Sequence, residues 1–200
     1  MHEATDLCKM LSSRYGNKKI EGKILITELQ TERLILRKIK ASDSTALFKI
    51  WSDREVTRFM NITRLTEERE ALDIIAMLDG FFQEGKAIRY SIIHAESNQI
   101  IGSCGFNFLD FENLKTEIGY ELGKEYWGKG YAGEAINCLV DYAFHTLHFN
   151  RVEAKVEPEN SNSIRLLEKL HFQFEGTLRK SEKSKGLLID LNMYSKLITD

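Results

Sequence analysis

The sequence predicts an α+β fold, in which strands and helices mix in one domain. Alternating apolar and polar residues mark short strands, and apolar residues at helical spacing mark amphipathic helices between them. The size agrees, because 200 residues with 42% hydrophobic and 29% charged residues suit one ordinary core.

The first predicted elements are a strand and two helices. Residues 32–39 alternate as in a strand. The stretch 42–53 opens on capping residues and then places Leu47 and Trp51 at helical spacing. Residues 66–82 begin with acidic side chains, which suit the positive end of a helix, and carry one apolar stripe.

The middle of the chain predicts three strands and a long helix. Residues 87–94 and 100–109 flank a polar turn, which indicates a hairpin, and 116–122 alternate as a third strand. This strand runs into YWGKGYAGEA at 126–135. Residues 133–148 then carry a clear apolar stripe, which predicts a helix about 24 Å long at 1.5 Å per residue.

The last predicted elements alternate strand and helix and end in two strands. Residues 151–158 alternate, and 160–172 open on Asn and Ser caps before an apolar stripe. The segments 172–178 and 186–197 are predicted as a closing pair of strands, joined through the charged run 179–185.

The two ends of the chain differ in their patterns. Residues 1–23 show no sustained period, so we expect an N-terminal appendage, either partly helical or disordered, before a domain over 24–200. No apolar run approaches the roughly 20 residues of a membrane-spanning helix, and the first residues lack a secretory pattern. We therefore predict a cytoplasmic protein that does not bind membranes.

Charge and motif content exclude further classes. The 28 basic and 30 acidic residues leave a net charge of −2, which gives no electrostatic footprint for nucleic acid. The three cysteines form no CxxC pair, and the five histidines form no HExxH motif. No metal site is therefore predicted.

A cluster of glycines precedes the long helix. A glycine costs roughly 0.5 to 1 kcal/mol against alanine in a regular element, so Gly128, Gly130 and Gly133 indicate that bare backbone is needed. A helix start has unpaired N–H groups that bind phosphate or pyrophosphate. The string also matches GxGxxG, but no acidic ribose ligand follows in a doubly wound order. A tight turn without a ligand is the alternative.

Two longer stretches resemble a known family. The segments 118–135, IGYELGKEYWGKGYAGEA, and 156–172, VEPENSNSIRLLEKLHF, resemble the GNAT superfamily of acyl-CoA-dependent N-acetyltransferases. The branch that they resemble includes bacterial ribosomal-protein N-terminal acetyltransferases. TERLILR at 31–37 and FEGTLRKSE at 174–182 are also similar to that branch, so the resemblance covers about 29–197.

The resemblance implies a GNAT-like fold with acetyl-CoA as cosubstrate. Its twisted, mostly antiparallel central sheet would splay beside 120–122, with helices on its flanks and the pantetheine arm in the gap. Pantetheine is an extended amide chain, and an unpaired strand edge can bond it as another strand would.

The same resemblance implies the residues that bind acetyl-CoA. The family's [QR]xxGx[GA] motif falls on Trp127, Gly130 and Ala132, and Trp127 departs from the usual Gln or Arg. Because this loop works through backbone N–H groups, the departure bears on affinity more than on function. The implied binding residues are Tyr120, Leu122, Trp127, Gly128, Lys129, Gly130, Tyr131, Ala132 and Asn160.

Acyl transfer to an amine needs a neutral amine and a protonated leaving thiolate. An α-amine, with a pKa of about 7.7 to 8.0, loses its proton more easily than lysine at about 10.4, so a weak base acting through water suffices. By resemblance, Ser163 protonates the leaving sulfur and Glu182 accepts the amine proton through water. The resemblance also implies that Asn160 hydrogen-bonds the pantetheine arm.

Each assignment has a structural alternative. Asn160 and Ser163 also form a good helix N-cap, and Glu182 stands in a charge run typical of a solvated hairpin. Glu117 is the second candidate for the base because it lies on the strand beside the expected cleft, and its alternative is a solvent-facing position.

The predicted acceptor is the N-terminal α-amine of a protein such as a ribosomal protein. Two other functions stay open: acetylation of a small amine such as a polyamine or an antibiotic, and binding of acyl-CoA without catalysis. A homodimer is also left open.

Overall fold

The computed structural model describes residues 9–10, 18–20 and 23–200. The strands are β1 (Lys9–Met10), β2 (Lys18–Ile20), β3 (Lys23–Leu25), β4 (Glu28–Gln30), β5 (Leu34–Lys38), β6 (Ile88–His94), β7 (Gln99–Asp110), β8 (Lys115–Leu122), β9 (Arg151–Val156), β10 (Gln173–Ser184) and β11 (Leu187–Leu197). The α-helices are α1 (Ser44–Trp51), α2 (Glu68–Gln83), α3 (Tyr131–Asp141) and α4 (Ser161–Lys169).

The main sheet joins the strands in the order β1-β4-β5-β6-β7-β8-β9-β11-β10, while β2 and β3 form a small hairpin. The described strand pairs are antiparallel except for β8 with β9, which is parallel. Parallel neighbours need a long crossover connection, and α3 supplies it. The predicted α+β class, with a mixed and mostly antiparallel sheet flanked by helices, is confirmed.

Helices cover both faces of the sheet. Ile118 and Leu122 of β8 belong to the larger core, which includes Ile136 of α3. Glu121 points the other way, because successive residues of a strand alternate in direction, and its carboxylate accepts a hydrogen bond from Trp51 of α1. We call these two sides of β8 the α3 face, with Ile118, Tyr120 and Leu122, and the α1 face, with Glu117, Gly119 and Glu121.

The N-terminal prediction is only partly covered by the structure. Residues 1–8, 11–17 and 21–22 of the predicted appendage lie outside the described residues. Of the rest, β1 pairs with β4 and β2 pairs with β3, a strand that crosses the predicted boundary at residue 24. The division into 1–23 and 24–200 stays a prediction.

The charged run 179–185 differs from the prediction. It was predicted to join two strands, but β10 extends through it to Ser184, and the turn consists of Lys185 and Gly186. Both turn residues have positive φ, +48° and +86°, which suits a tight hairpin. Strand pairing uses backbone groups, so exposed charges in this stretch did not prevent it.

Candidate active site

The parallel strands β8 and β9 separate along their length. They pair only at Lys115 with Arg151, Thr116 with Val152 and Glu117 with Glu153. Beyond these pairs β8 continues along β7, and β9 continues along β11. The facing edges of 118–122 and 154–156 are therefore left without strand partners, and we call the space between them the strand gap. This confirms the predicted splay beside Tyr120 and Leu122.

A glycine loop connects the open end of β8 to α3. A short turn at Lys124–Tyr126 leads to Trp127, and α3 begins at Tyr131 with Gly130 as its N-cap. Gly128 and Gly130 have φ of +73° and +84°, a conformation that glycine adopts at little cost. The backbone N–H groups at the start of α3 thus lie beside the strand gap, in an arrangement that suits an anion.

Trp127 braces this loop against the strand. Its indole Nε1 donates a hydrogen bond of 2.8 Å to the carbonyl oxygen of Leu122. The side chain is thereby directed back to β8. Trp127 therefore fixes the loop against the end of β8.

Arg33 also fixes the loop, and the sequence analysis missed this residue. Its Nε lies 2.6 Å from Glu134 Oε2, its Nη1 donates to the carbonyl oxygen of Lys129 at 3.2 Å, and its guanidinium stacks 4.7 Å from the ring centre of Tyr131. Burial alone would raise the pKa of Glu134, but hydrogen bonds from Thr31 and Arg33 outweigh it and lower that pKa. Arg33 thus balances the charge of a carboxylate in the first turn of α3.

Tyr120 and Ser163 meet on the α3 face of β8. Their hydroxyl oxygens lie 2.5 Å apart. Burial raises the pKa of Tyr120 to about 12, although the bond to Ser163 opposes the rise. A protonated hydroxyl pair therefore stands at the open edge of β8.

Asn160 caps α4, as its structural alternative predicted. Its Oδ1 accepts a hydrogen bond of 3.2 Å from the backbone N–H of Ser163. The cap leaves the Ser163 hydroxyl available to Tyr120, so the cap and the contact with Tyr120 use different atoms of one helix turn. The predicted contact of Asn160 with pantetheine stays a prediction.

Glu117 lies on the α1 face and is buried, so the alternative of a solvent-facing residue is wrong. Its Oε1 accepts a hydrogen bond of 2.8 Å from Asn107 Nδ2, and its Oε2 lies 2.9 Å from Lys155 Nζ. Burial alone would lower the pKa of Lys155, but the bond and charge of Glu117, with Glu182 and Glu153, raise it. Both carboxylate oxygens of Glu117 are thus occupied.

Glu182 also belongs to the α1 face, through a bulge in β10. Two extra residues of β10 lie between the pairs Leu178 with Leu191 and Glu182 with Ile189. Asn61, in the loop between α1 and α2, donates its Nδ2 to Glu182 Oε1 at 2.5 Å. Glu182 is therefore held against another element, and it does not extend freely into solvent.

A second bond attaches the hairpin to the same loop. Lys185 Nζ donates to the carbonyl oxygens of Thr57 and Arg58 at 2.6 and 2.8 Å. The run 179–185 is thus the part of β10 and its turn that closes over the α1 face.

Glu157, at the end of β9, is a further carboxylate that the sequence analysis missed. Burial raises its pKa, and Glu159 and Glu182 add to the rise while Lys185 opposes it. Its position directly after Val156, the last apolar residue of the alternating segment 151–158, was the available signal. Within the described part of the chain, no cluster of three or more His, Cys, Asp or Glu residues could hold a metal ion.

These features define an acetyltransferase of the GNAT type, and the family comparison agrees. Residues 33–173 match the family model described as Acetyltransferase (GNAT) domain. The chain belongs to this family and is an acetyl-CoA-dependent N-acetyltransferase, as predicted. No described helix is long and apolar enough to cross a membrane.

Two sequence relatives set the chain within the family. The uncharacterized N-acetyltransferase p20 of Bacillus licheniformis is 54% identical over 169 residues, 84% of this chain and 95% of p20. The [ribosomal protein uS5]-alanine N-acetyltransferase of Escherichia coli is 30% identical over 103 residues, 51% of this chain and 53% of that enzyme. The sequence relatives of this chain thus include a ribosomal-protein acetyltransferase, which confirms the predicted resemblance to that branch.

Two solved structures share the fold. A GNAT-family acetyltransferase from Bacillus anthracis superimposes with a TM-score of 0.76 at 26% identity, covering 86% of this chain and 99% of that one. RimL, a ribosomal L7/L12 alpha-N-protein acetyltransferase in complex with coenzyme A, gives 0.76 at 23% identity, covering 84% and 96%.

Proposed function

We propose that this enzyme transfers the acetyl group of acetyl-CoA to the N-terminal α-amine of a protein, of which a ribosomal protein is the expected kind. The observation that carries the proposal is the strand gap, with the Ser163 hydroxyl on its α3 face and Glu182 on its α1 face. A thioester placed in this gap would present its sulfur to one face and its carbonyl carbon to an amine on the other.

Acetyl-CoA would occupy the α3 face. Its pyrophosphate would accept hydrogen bonds from the backbone of 127–132 at the start of α3. Its pantetheine arm would pair with the free edge of β8 at 120–122, where Asn160 adds a side-chain contact. As the amine nitrogen bonds to the carbonyl carbon and the carbon–sulfur bond breaks, Ser163 would protonate the sulfur.

The acceptor amine would occupy the α1 face. Glu182 would take its proton through a water molecule, with Asn61 holding the carboxylate in place. Glu182 is the better candidate for this role because both oxygens of Glu117 are engaged by Asn107 and Lys155. A carboxylate is a weak base, which favours an α-amine with a pKa near 8 over a lysine near 10.4, by approximate reference values.

The relatives support this choice of acceptor. The Escherichia coli relative is named a [ribosomal protein uS5]-alanine N-acetyltransferase, and RimL is named a ribosomal L7/L12 alpha-N-protein acetyltransferase. Transfer of that specificity to this chain is part of the proposal.

A screen of thiol release from acetyl-CoA tests the proposal. We expect release with peptides that have free N-termini and little with polyamines or aminoglycosides. Preferential release with either small amine would replace the proposal by a small-molecule acetyltransferase. Acetyl-CoA binding without thiol release for any acceptor would indicate an acyl-CoA sensor.

A further inference from the structure

An ion pair lies buried on the α1 face, outside the groups assigned to proton transfer. The Nη2 of Arg89, on β6, contacts Glu121 Oε2, and the exposed fractions of the two side chains are 14% and 6%. Glu121 also accepts hydrogen bonds from Trp51 and Ser103, and Arg89 Nε donates to Ser103 at 2.8 Å. Replacing a buried ion pair by apolar residues of the same size often costs no stability. Stability therefore does not explain why this pair lies beside the strand gap, which points to a function.

The network leaves one end of the Arg89 guanidinium free. Its Nε and Nη2 are engaged, while Nη1 has no partner among the described residues. No buried side-chain N or O atom in the described part of the chain is unpaired, so Nη1 is accessible to solvent. Arg89 therefore presents a fixed N–H donor on the α1 face.

Asn107 presents a matching acceptor. Its Nδ2 donates to Glu117, which sets the orientation of the amide, and its Oδ1 is without a partner among the described side chains and backbone. Asn107 occupies a bulge in β7, between the pairs Phe106 with Ile118 and Phe108 with Glu117.

Gly119 makes room for both groups. A Cβ on Gly119 would lie 2.7 Å from Asn107 Oδ1 and 3.1 Å from Arg89 Nη1, closer than ordinary van der Waals contact. The free donor and the free acceptor thus border one point above the strand, next to Tyr120 at the strand gap.

We propose that Arg89 and Asn107 bind the α-aminoacyl group of the acceptor over Gly119. Arg89 Nη1 donates to the first carbonyl oxygen, and Asn107 Oδ1 accepts an N–H of the amine that is acetylated. An alkylamine or polyamine has no such carbonyl, so these residues select an N-terminal residue of a peptide. The inference rests on the proposed function and names the group by which it recognises its acceptor.

The test compares an alanine-initiated tetrapeptide with isopropylamine, at equal concentrations of neutral amine. We expect the wild type to prefer the peptide in kcat/KM, and Arg89→Lys to reduce that preference by roughly 10- to 100-fold, the factor of a charged hydrogen bond. Lysine keeps the charge opposite Glu121 but lacks the second arm of the guanidinium.

Gly119→Ala gives a second variant that is expected to fold. The three atoms nearest to its new Cβ all belong to the side chains of Asn107 and Arg89, so it shifts the Asn107 amide and Arg89 Nη1 without disturbing the strands. We expect the same loss of preference. Arg37→Lys is the matched control. Arg37, on β5, forms a comparably buried ion pair with Asp43, and the exposed fractions of the two side chains are 15% and 2%.

The outcomes separate this inference from the proposed function. Acetyl transfer with no peptide preference in the wild type, or a preference unchanged in Arg89→Lys and Gly119→Ala, overturns the inference and leaves N-acetyl transfer standing. If no acceptor releases thiol, the proposed function fails. The inference is then tested by calorimetry, which measures peptide binding to the wild type and to Gly119→Ala. Peptide binding about tenfold tighter in the wild type than in Gly119→Ala supports it, and equal or absent binding overturns it.

Discussion

The hydroxyl groups of Tyr120 and Ser163 lie 2.5 Å apart and join the free edge of β8 to the first turn of α4. Tyr120 is protonated at neutral pH, and burial raises its pKa further, to about 12. A protonated phenol can return to Ser163 the proton that the serine gives up. The pair is therefore suited to relay a proton to the place proposed for the sulfur.

Ser163→Ala should lower kcat by roughly 100-fold or more, as expected for loss of a general acid, and change acetyl-CoA affinity by less than about threefold. Capping of α4 should persist because it uses the side chain of Asn160. Single-turnover rates and calorimetry measure the two effects. Ser161→Ala, at an exposed position in the same turn, is the control; an unchanged single-turnover rate for Ser163→Ala would leave Ser163 a structural role only.

Gly130→Val should weaken acetyl-CoA binding by at least about tenfold, because a side chain at the N-cap of α3 blocks the approach of a phosphate to the backbone. Calorimetry with acetyl-CoA checks this. Gly186→Val is matched for backbone strain, since Gly130 and Gly186 have φ of +84° and +86°, but it lies in the hairpin turn. Equal affinities in both variants would remove the pyrophosphate from this loop.

Glu182→Gln should lower kcat/KM by roughly 100-fold at pH 7 and recover partly toward pH 9, where the α-amine is already neutral. Glutamine keeps an oxygen that can accept from Asn61, so the hairpin should stay docked. A pH profile of kcat/KM measures the recovery. Glu159→Gln, at an exposed residue 3.9 Å from Arg58, is the control. A loss of equal size at every pH would assign Glu182 to structure, and the pH-dependent loss in Glu117→Gln would move the base to β8.

The Arg151–Glu175 pair should make stability depend on pH. Hydrogen bonds from Arg151 and Ser195 lower the pKa of Glu175 from 4.5 to about 2. A lowered carboxyl pKa stabilises the fold above pH 4.5, and the contribution disappears as pH falls toward 2. Glu175→Gln should thus cost about 1 kcal/mol or less at pH 7, since the pair is partly exposed, and almost nothing near pH 2. Urea unfolding at both pH values would show the opposite trend if Glu175 stabilised the fold in its protonated form.

Local patterns predicted the glycine loop and the helices, because glycine conformation and helical spacing depend on neighbouring residues. They could not predict the contact of Arg33 with Glu134 or that of Asn61 with Glu182. The two residues are separated by 101 positions in the first contact and by 121 positions in the second. Such contacts depend on which strands become neighbours, and a periodic pattern does not specify that.

The position of Glu182 shows the same limit on a smaller scale. The charged run around it has no apolar alternation, so it predicted a solvated connection. The structure instead pairs it as β10 and inserts two residues before Glu182, which shifts its register against β11. A bulge of this kind depends on the partner strand and leaves no period in the sequence.

The separation of β8 from β9 has a consequence for folding equilibrium. If acetyl-CoA fills the gap as we propose, it completes the hydrogen bonding of two strand edges that the chain itself leaves open. A ligand that binds only the native state stabilises it by about 2.7 kcal/mol at 100 times its dissociation constant. The resistance of this enzyme to unfolding and proteolysis would then rise and fall with the acetyl-CoA concentration around it, independently of turnover.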